Sequence, residues 1–213
     1  MALTKRKDIT LGSGKLYVQE YTGTTVPDTD TICTADNIIG YISGGATVSY
    51  KPTYYTAKDD LGLVSKTLIT AEEATLKSGI MTWDGNTLAK LSATARVTET
   101  DAASGKPAKR SVKIGGVAND DGKKYVLCFC HEDKDGKRKL YVRIVGKNQS
   151  GFEIVFAKDK ETVVDAEFSC DPMDTDGTLI YYDEVYTACQ TDMHWASTSP
   201  HLLWSLPTAA RYC

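Results

Sequence analysis

The 213-residue sequence has no run approaching the roughly 18 consecutive apolar residues of a membrane-crossing helix. Its first eight residues, with Lys5, Arg6 and Lys7, lack the apolar core of a signal peptide, so the expectation is a soluble product made and kept in the cytoplasm. Excess positive charge is missing too. With 25 Lys and Arg against 28 Asp and Glu, the formal charge of −3 gives no net pull toward nucleic acid or an acidic membrane. Dense cysteine spacing is also absent: Cys33, Cys128, Cys130, Cys170, Cys189 and Cys213 are scattered and read as reduced thiols, not as a disulfide scaffold.

Catalytic and cofactor signatures fail in turn. Cys128-Phe129-Cys130-His131 offers thiolate and imidazole, the ligands zinc favours, but has neither the two-residue gap of a zinc knuckle nor a second pair. On a strand, Cys128 and Cys130 share one face and pack as small apolar side chains. Gly12-Ser13-Gly14-Lys15 is not a phosphate loop, because Ile9 and Leu16 stand where the leading glycine and the trailing hydroxyl belong. Tyr17 takes the place of the third glycine of a dinucleotide fingerprint. In Asp174-Thr175-Asp176-Gly177 a calcium loop is spoiled by Pro172 at its first ligand position and Asp183 at its last, so a turn explains it better. His131, His194 and His201 show no triad spacing. These readings assign no catalytic residue, no metal ligand and no cofactor, and point away from an enzyme.

What the chain does have is β signal. Residues 9–18, 38–50, 67–70, 92–100, 112–117, 152–157, 163–170 and 178–182 carry β-branched and aromatic residues in short runs. Residues 124–131 and 138–145, joined through Asp133-Lys134-Asp135-Gly136, predict a hairpin. Residues 22–36 and 101–108 read as loops, and 53–65 as a long polar hairpin loop. Helical signal is confined to one place, where Asp84 can cap a short helix over residues 87–91. Asp-Gly pairs at Asp84, Asp121, Asp135 and Asp176 punctuate the chain as in a sandwich or barrel. The fold class is mainly β, a sandwich or barrel with one short flanking α-helix, in a single domain over residues 1–184. Lys and Arg dominate 106–147, whereas 153–184 is rich in acids. Solvated strand faces explain this, and complementary edges between subunits are the sharper alternative.

The ordered segments LGSGKLYV (11–18), IGYISGGATVSYKP (39–52), KTLITAEEATLKSGIMTWDGNTLAKL (66–91), VLCFC (126–130) and DGTLIYYDE (176–184) resemble major tail tube proteins of long-tailed bacteriophages of the Gram-positive-host type. Those proteins are similar in architecture to the ring proteins of tailocins and type VI secretion. The resemblance implies hexameric rings stacked into a hollow tube around a tape-measure protein. It further implies contact with tail terminator and distal tail proteins, transient passage of double-stranded DNA, and residence in a virion tail assembled in the bacterial host cytoplasm. Under it, Ala46, Val48, Tyr50, Thr75, Lys77 and Ser78 face the lumen. Lys5, Arg6 and Lys7 of an N-terminal arm (1–11), with Tyr54, Lys58, Asp59, Asp60 and Leu61 of the 53–65 loop, contact a neighbouring ring. Residues 185–213, with Trp195 and Trp204, extend past the resemblance. The alternative is an adhesion or carbohydrate-binding β-sandwich module with Tyr54, Tyr55, Trp83, Tyr181 and Tyr182 on its binding face.

Overall fold

Short β-branched and aromatic runs separated by Gly, Asp and Pro turns give ten strands and two short α-helices among the described residues of a computed structural model. Those residues are 10–186 without Thr24 and Ser104. Lys5, Arg6, Lys7 and the C-terminal segment past residue 186 lie outside them. In chain order the elements are β1 (Lys15–Tyr21), α1 (Thr29–Ile32), β2 (Ile38–Gly40), β3 (Ile42–Lys58), β4 (Ser65–Ile80), α2 (Gly85–Lys90) and β5 (Arg96–Thr100). They continue with β6 (Lys109–Lys113), β7 (Lys124–Glu132), β8 (Arg138–Asn148), β9 (Val164–Asp171) and β10 (Tyr181–Tyr186).

Eight strands form one antiparallel sheet in the order β2-β1-β7-β8-β9-β4-β3, with β10 beside β8. The edge of β8 opposite β7 is shared. Residues 138–143 pair with β10 and 145–148 with β9. β5 and β6 form a separate two-stranded sheet. Alternation along the strands divides the apolar residues between two faces. Leu16, Val18, Leu127, Ile144, Phe168 and Leu76 meet on one face with Ile39 and Leu91. Tyr17, Val126, Cys128, Tyr141 and Val145 meet on the other, under Ile32 of α1.

Because β2 and β3 are separated only by Tyr41, one chain run supplies both terminal strands of the sheet. The sheet curls around the first cluster yet does not close, since no ladder joins β2 to β3. The expected mainly β class stands, and of the expected alternatives, sandwich or barrel, a closed barrel is not formed. The curled interior is filled: Phe168, Leu16, Leu76, Leu127 and Ile144 are fully buried within it.

Several local expectations change. Two helices replace one, because Ile32 anchors a turn of helix in the Thr- and Asp-rich segment read as loop. α2 is capped as expected, Asp84 Oδ1 accepting from the N–H groups of Asn86 and Thr87 at 2.9 Å. The backbone N–H of Thr87 is the main cause holding the Asp84 carboxyl below its ordinary range. Residues 53–65 are not a long loop. β3 and β4 continue as a two-stranded ribbon with Tyr54 opposite Ile69 and Tyr55 opposite Leu68, leaving a turn at 59–64. Pro52 is tolerated because β3 is an edge strand. Residues 152–157 make only isolated bridges at Ile154 and Ala157.

The 174–177 stretch is a turn. Asp174 Oδ1 accepts from Thr178 N at 2.9 Å, and that bond leads the causes holding its carboxyl down at about 2. The uneven charge is matched inside the chain: Lys124 meets Asp171 at 2.9 Å, Arg143 meets Asp183 at 2.8 Å and Arg138 meets Glu184 at 3.6 Å.

Candidate functional site

A cleft of about 590 Å³ opens where residues 25–37, the segment carrying α1, cover the second face of the sheet. Antiparallel register builds its floor. Lys15, Cys130 and Tyr141 lie side by side across β1, β7 and β8, and Tyr17, Cys128 and Arg143 form the next row. Asp30 and Cys33 close the wall from the covering segment, while Glu132 and Lys139 stand at the rim, 3.5 Å apart. The chain reaches the cleft through Gly14, where a Cβ would stand 2.2 Å from the carbonyl oxygen of Cys130. That close approach accounts for the glycine in the Gly12-Ser13-Gly14-Lys15 run.

Arg143 ties the cover to the sheet. It donates to the carbonyl oxygen of Pro27 at 2.8 Å and to Asp183 at 2.8 Å, with its guanidinium 5.3 Å from the centre of the Tyr181 ring. Electrostatics keep the cleft's phenols and thiols neutral. Burial pushes the Tyr17 phenol up from its ordinary value and Tyr141 up to about 12. The hydrogen bond with Cys128 leads in raising Cys33 to about 12, and the bond with Cys33 leads in raising Cys130. Protonated phenols donate hydrogen bonds, so Tyr17 and Tyr141 can serve an acceptor such as a carboxylate or carbonyl oxygen. Lys15 and Lys139 stand at the same mouth as Asp30 and Glu132, with Lys139 paired to Glu132, so the two charges of each sign balance.

A second cleft of about 620 Å³ lies between the Gly44-Gly45 bulge, Lys77, Ser78 and the loop at Phe152. It lacks a pair of aromatic walls, and Lys77 there is held by Glu167 at 2.8 Å.

The residues singled out from sequence are distributed differently. Cys128 and Cys130 share a face as read, and His131 points away, its Nδ1 donating to the carbonyl of Ser13 at 2.6 Å. Among the described residues no group of three His, Cys, Asp or Glu side chains is arranged to hold a metal. Of the residues assigned to a lumen, Thr75 and Ser78 are buried, Lys77 is exposed, and Tyr50 reaches across to Glu72 by a hydrogen bond. Tyr54, Lys58, Asp59, Asp60 and Leu61 are exposed on the ribbon. The five aromatics proposed as one binding face are not brought together: Tyr54 and Tyr55 sit on the ribbon, Trp83 packs 6.4 Å from Phe156, and Tyr181 and Tyr182 lie on β10. The cleft's own aromatics, Tyr17 and Tyr141, gave no signal in sequence, because register alone unites residues so far apart.

Residues 46–171, more than half of the chain, match the model of the Lipocalin / cytosolic fatty-acid binding protein family. No curated protein matches the sequence. The family match overturns the tail-tube resemblance and the tube-building function drawn from it. The segments that carried the resemblance are strands and turns whose composition recurs wherever antiparallel hairpins are built. The luminal, inter-ring and partner assignments rested on that resemblance alone.

Proposed function

This chain belongs to the lipocalin / cytosolic fatty-acid binding protein family, and we propose that it binds a small amphipathic molecule in the cleft beneath the covering segment and releases it unchanged. The observation that carries the reading is the convergence of two buried phenols with Lys15 in a cleft of about 590 Å³. Its volume falls within the roughly 300–1,000 Å³ usual for small-molecule sites. The apolar bodies of Tyr17 and Tyr141 cover an alkyl or ring portion, and the phenol hydroxyls and the ammonium of Lys15 hold a carboxylate end, Lys139 being paired with Glu132. The interior of the curled sheet is filled by side chains, so the bound molecule sits on the outer face and not within the curl.

Isothermal titration with dodecanoate tests this. Saturable one-site binding is expected, weakened about tenfold by Lys15→Glu and several-fold by Tyr141→Phe, the latter matching loss of one hydrogen bond of about 1 kcal/mol. No binding, or equal affinity in the unchanged protein and both variants, removes the cleft as the site.

A further inference from the structure

Three thiols meet beneath the covering segment. Cys33, at the C-terminal end of α1, holds its Sγ 3.6 Å from the Sγ of Cys128, and Cys130 lines the same cleft. Cys128 is fully buried, whereas Cys33 and Cys130 are partly open and line the cleft. The cover itself is lightly anchored. α1 has four residues, its one buried side chain is Ile32, and Arg143 grips the carbonyl of Pro27.

We infer that Cys33 and Cys128 are a redox pair, whose disulfide clamps the covering segment onto β7 and whose reduction leaves it held by Ile32 and Arg143 without a covalent tie. A disulfide has an S–S length of about 2.0 Å, so the sulfurs must close by about 1.6 Å, a movement within reach of side-chain rotation and a small shift of a four-residue helix. The link joins positions 95 residues apart, so it constrains a long loop of the unfolded chain as well as the cover.

The chemistry is thiol–disulfide exchange with a low-molecular-weight disulfide entering by the cleft. The Cys33 thiolate attacks one sulfur of that disulfide; a new S–S bond forms, the old one breaks, and the departing small thiolate takes up the proton Cys33 gave away. Cys128 then attacks the Cys33 sulfur of the mixed disulfide, and its proton goes to the second departing thiolate. Two electrons leave the protein and the small disulfide becomes two thiols; a dithiol reverses both steps. The groups facing Cys33 are Asp30 on its own segment, Tyr17 of β1, Cys128 and Cys130 of β7, and Tyr141 of β8. Lys15 of β1 and Lys139 of β8 stand in the same cleft, Lys139 at 3.5 Å from Glu132 of β7, and the clamp forms faster as pH rises because the thiolate is the attacking form.

Incubating the full chain with cystine in mildly alkaline buffer, then fragmenting it under non-reducing conditions, tests the assignment. A peptide pair joined between Cys33 and Cys128 is expected, with deuterium uptake over residues 25–37 slowed about tenfold and restored by dithiothreitol. Cys130→Ser and Cys170→Ser keep both effects. Cys128→Ser abolishes them, and so does Cys33→Ser at its partly open position, should the buried variant fold poorly. A link to Cys130, no link, or uptake unchanged on oxidation overturns the inference. Dodecanoate binding is measured on the reduced protein, so a failure here leaves the binding proposal untouched.

Discussion

Arg138 and Asp133 flank the turn of the β7–β8 hairpin with side chains 4% and 8% exposed. Arg138 Nε donates to Asp133 Oδ2 at 3.1 Å and Nη2 to Thr10 Oγ1 at 2.6 Å. Such a pair adds little net stability, since desolvating two charges offsets most of their attraction, but removing Arg138 takes the nearest full positive charge from the buried Asp133 carboxylate, which also neighbours His131 at 3.3 Å. Arg138→Met is therefore expected to lower unfolding stability by about 3–5 kcal/mol in a urea titration, with Asp133→Leu in the same chain recovering most of the loss. A single-variant loss under about 1 kcal/mol refutes the argument. At this scale the sequence was partly legible. The shared face of Cys128 and Cys130 followed from strand periodicity alone. Burial of the pair required knowing that the 10–14 segment folds back over β7.

The β3–β4 ribbon shows how an element can be read wrongly from sound signals. Pro52, Asp59, Asp60 and Gly62 are turn and breaker residues, yet the pairing of Tyr54 with Ile69 and Tyr55 with Leu68 is a relation between strands that no single segment displays. α1 was hidden for a related reason, since its helix depends on burying Ile32 against β1 and β7 and not on helical periodicity. The hairpin of β7 and β8 was legible because its signals are local. Pairing of β4 with β9 stops at Thr75 opposite Ser169, so β3 residues 50–58 and β4 residues 65–74 pair only with each other. An isolated two-stranded ribbon is marginal in water, and Leu61 and Leu63 at its end are 80% exposed. Replacing residues 54–69 by Asn-Gly is expected to shift unfolding stability by less than about 1 kcal/mol and to leave dodecanoate affinity unchanged. A larger fall in the urea midpoint would show that the ribbon supports the body of the sheet.

Across the whole molecule, one chain run sets the shape. β2 pairs with β1 at one end of the sheet, and after a single residue β3 pairs with β4 at the other, so the two ends are drawn together without a ladder between them. That geometry makes the first cluster a filled core and leaves the second face, with its cover and cleft, as the place where a ligand fits. The corner is Gly40. Its φ of +154° is rare for residues with a side chain, and an added Cβ would stand 2.1 Å from the carbonyl oxygen of Thr82 and 2.9 Å from Ile80 Cγ2. Thr87 donates to the neighbouring carbonyl of Ile39 at 3.2 Å, so α2 is seated against the same corner. Gly40→Ala must push β2 away from the end of β4 and loosen that seat. The expected loss is about 2–4 kcal/mol in a urea titration, with a change in the near-ultraviolet circular dichroism of Trp83, which packs on this cluster. Gly136→Ala is the matched control. Its φ of +67° is also strained, but nothing lies within 4 Å of its added Cβ, so only the backbone penalty of about 1 kcal/mol applies. Equal losses in the two variants would mean that the meeting of the sheet's ends is not what Gly40 provides.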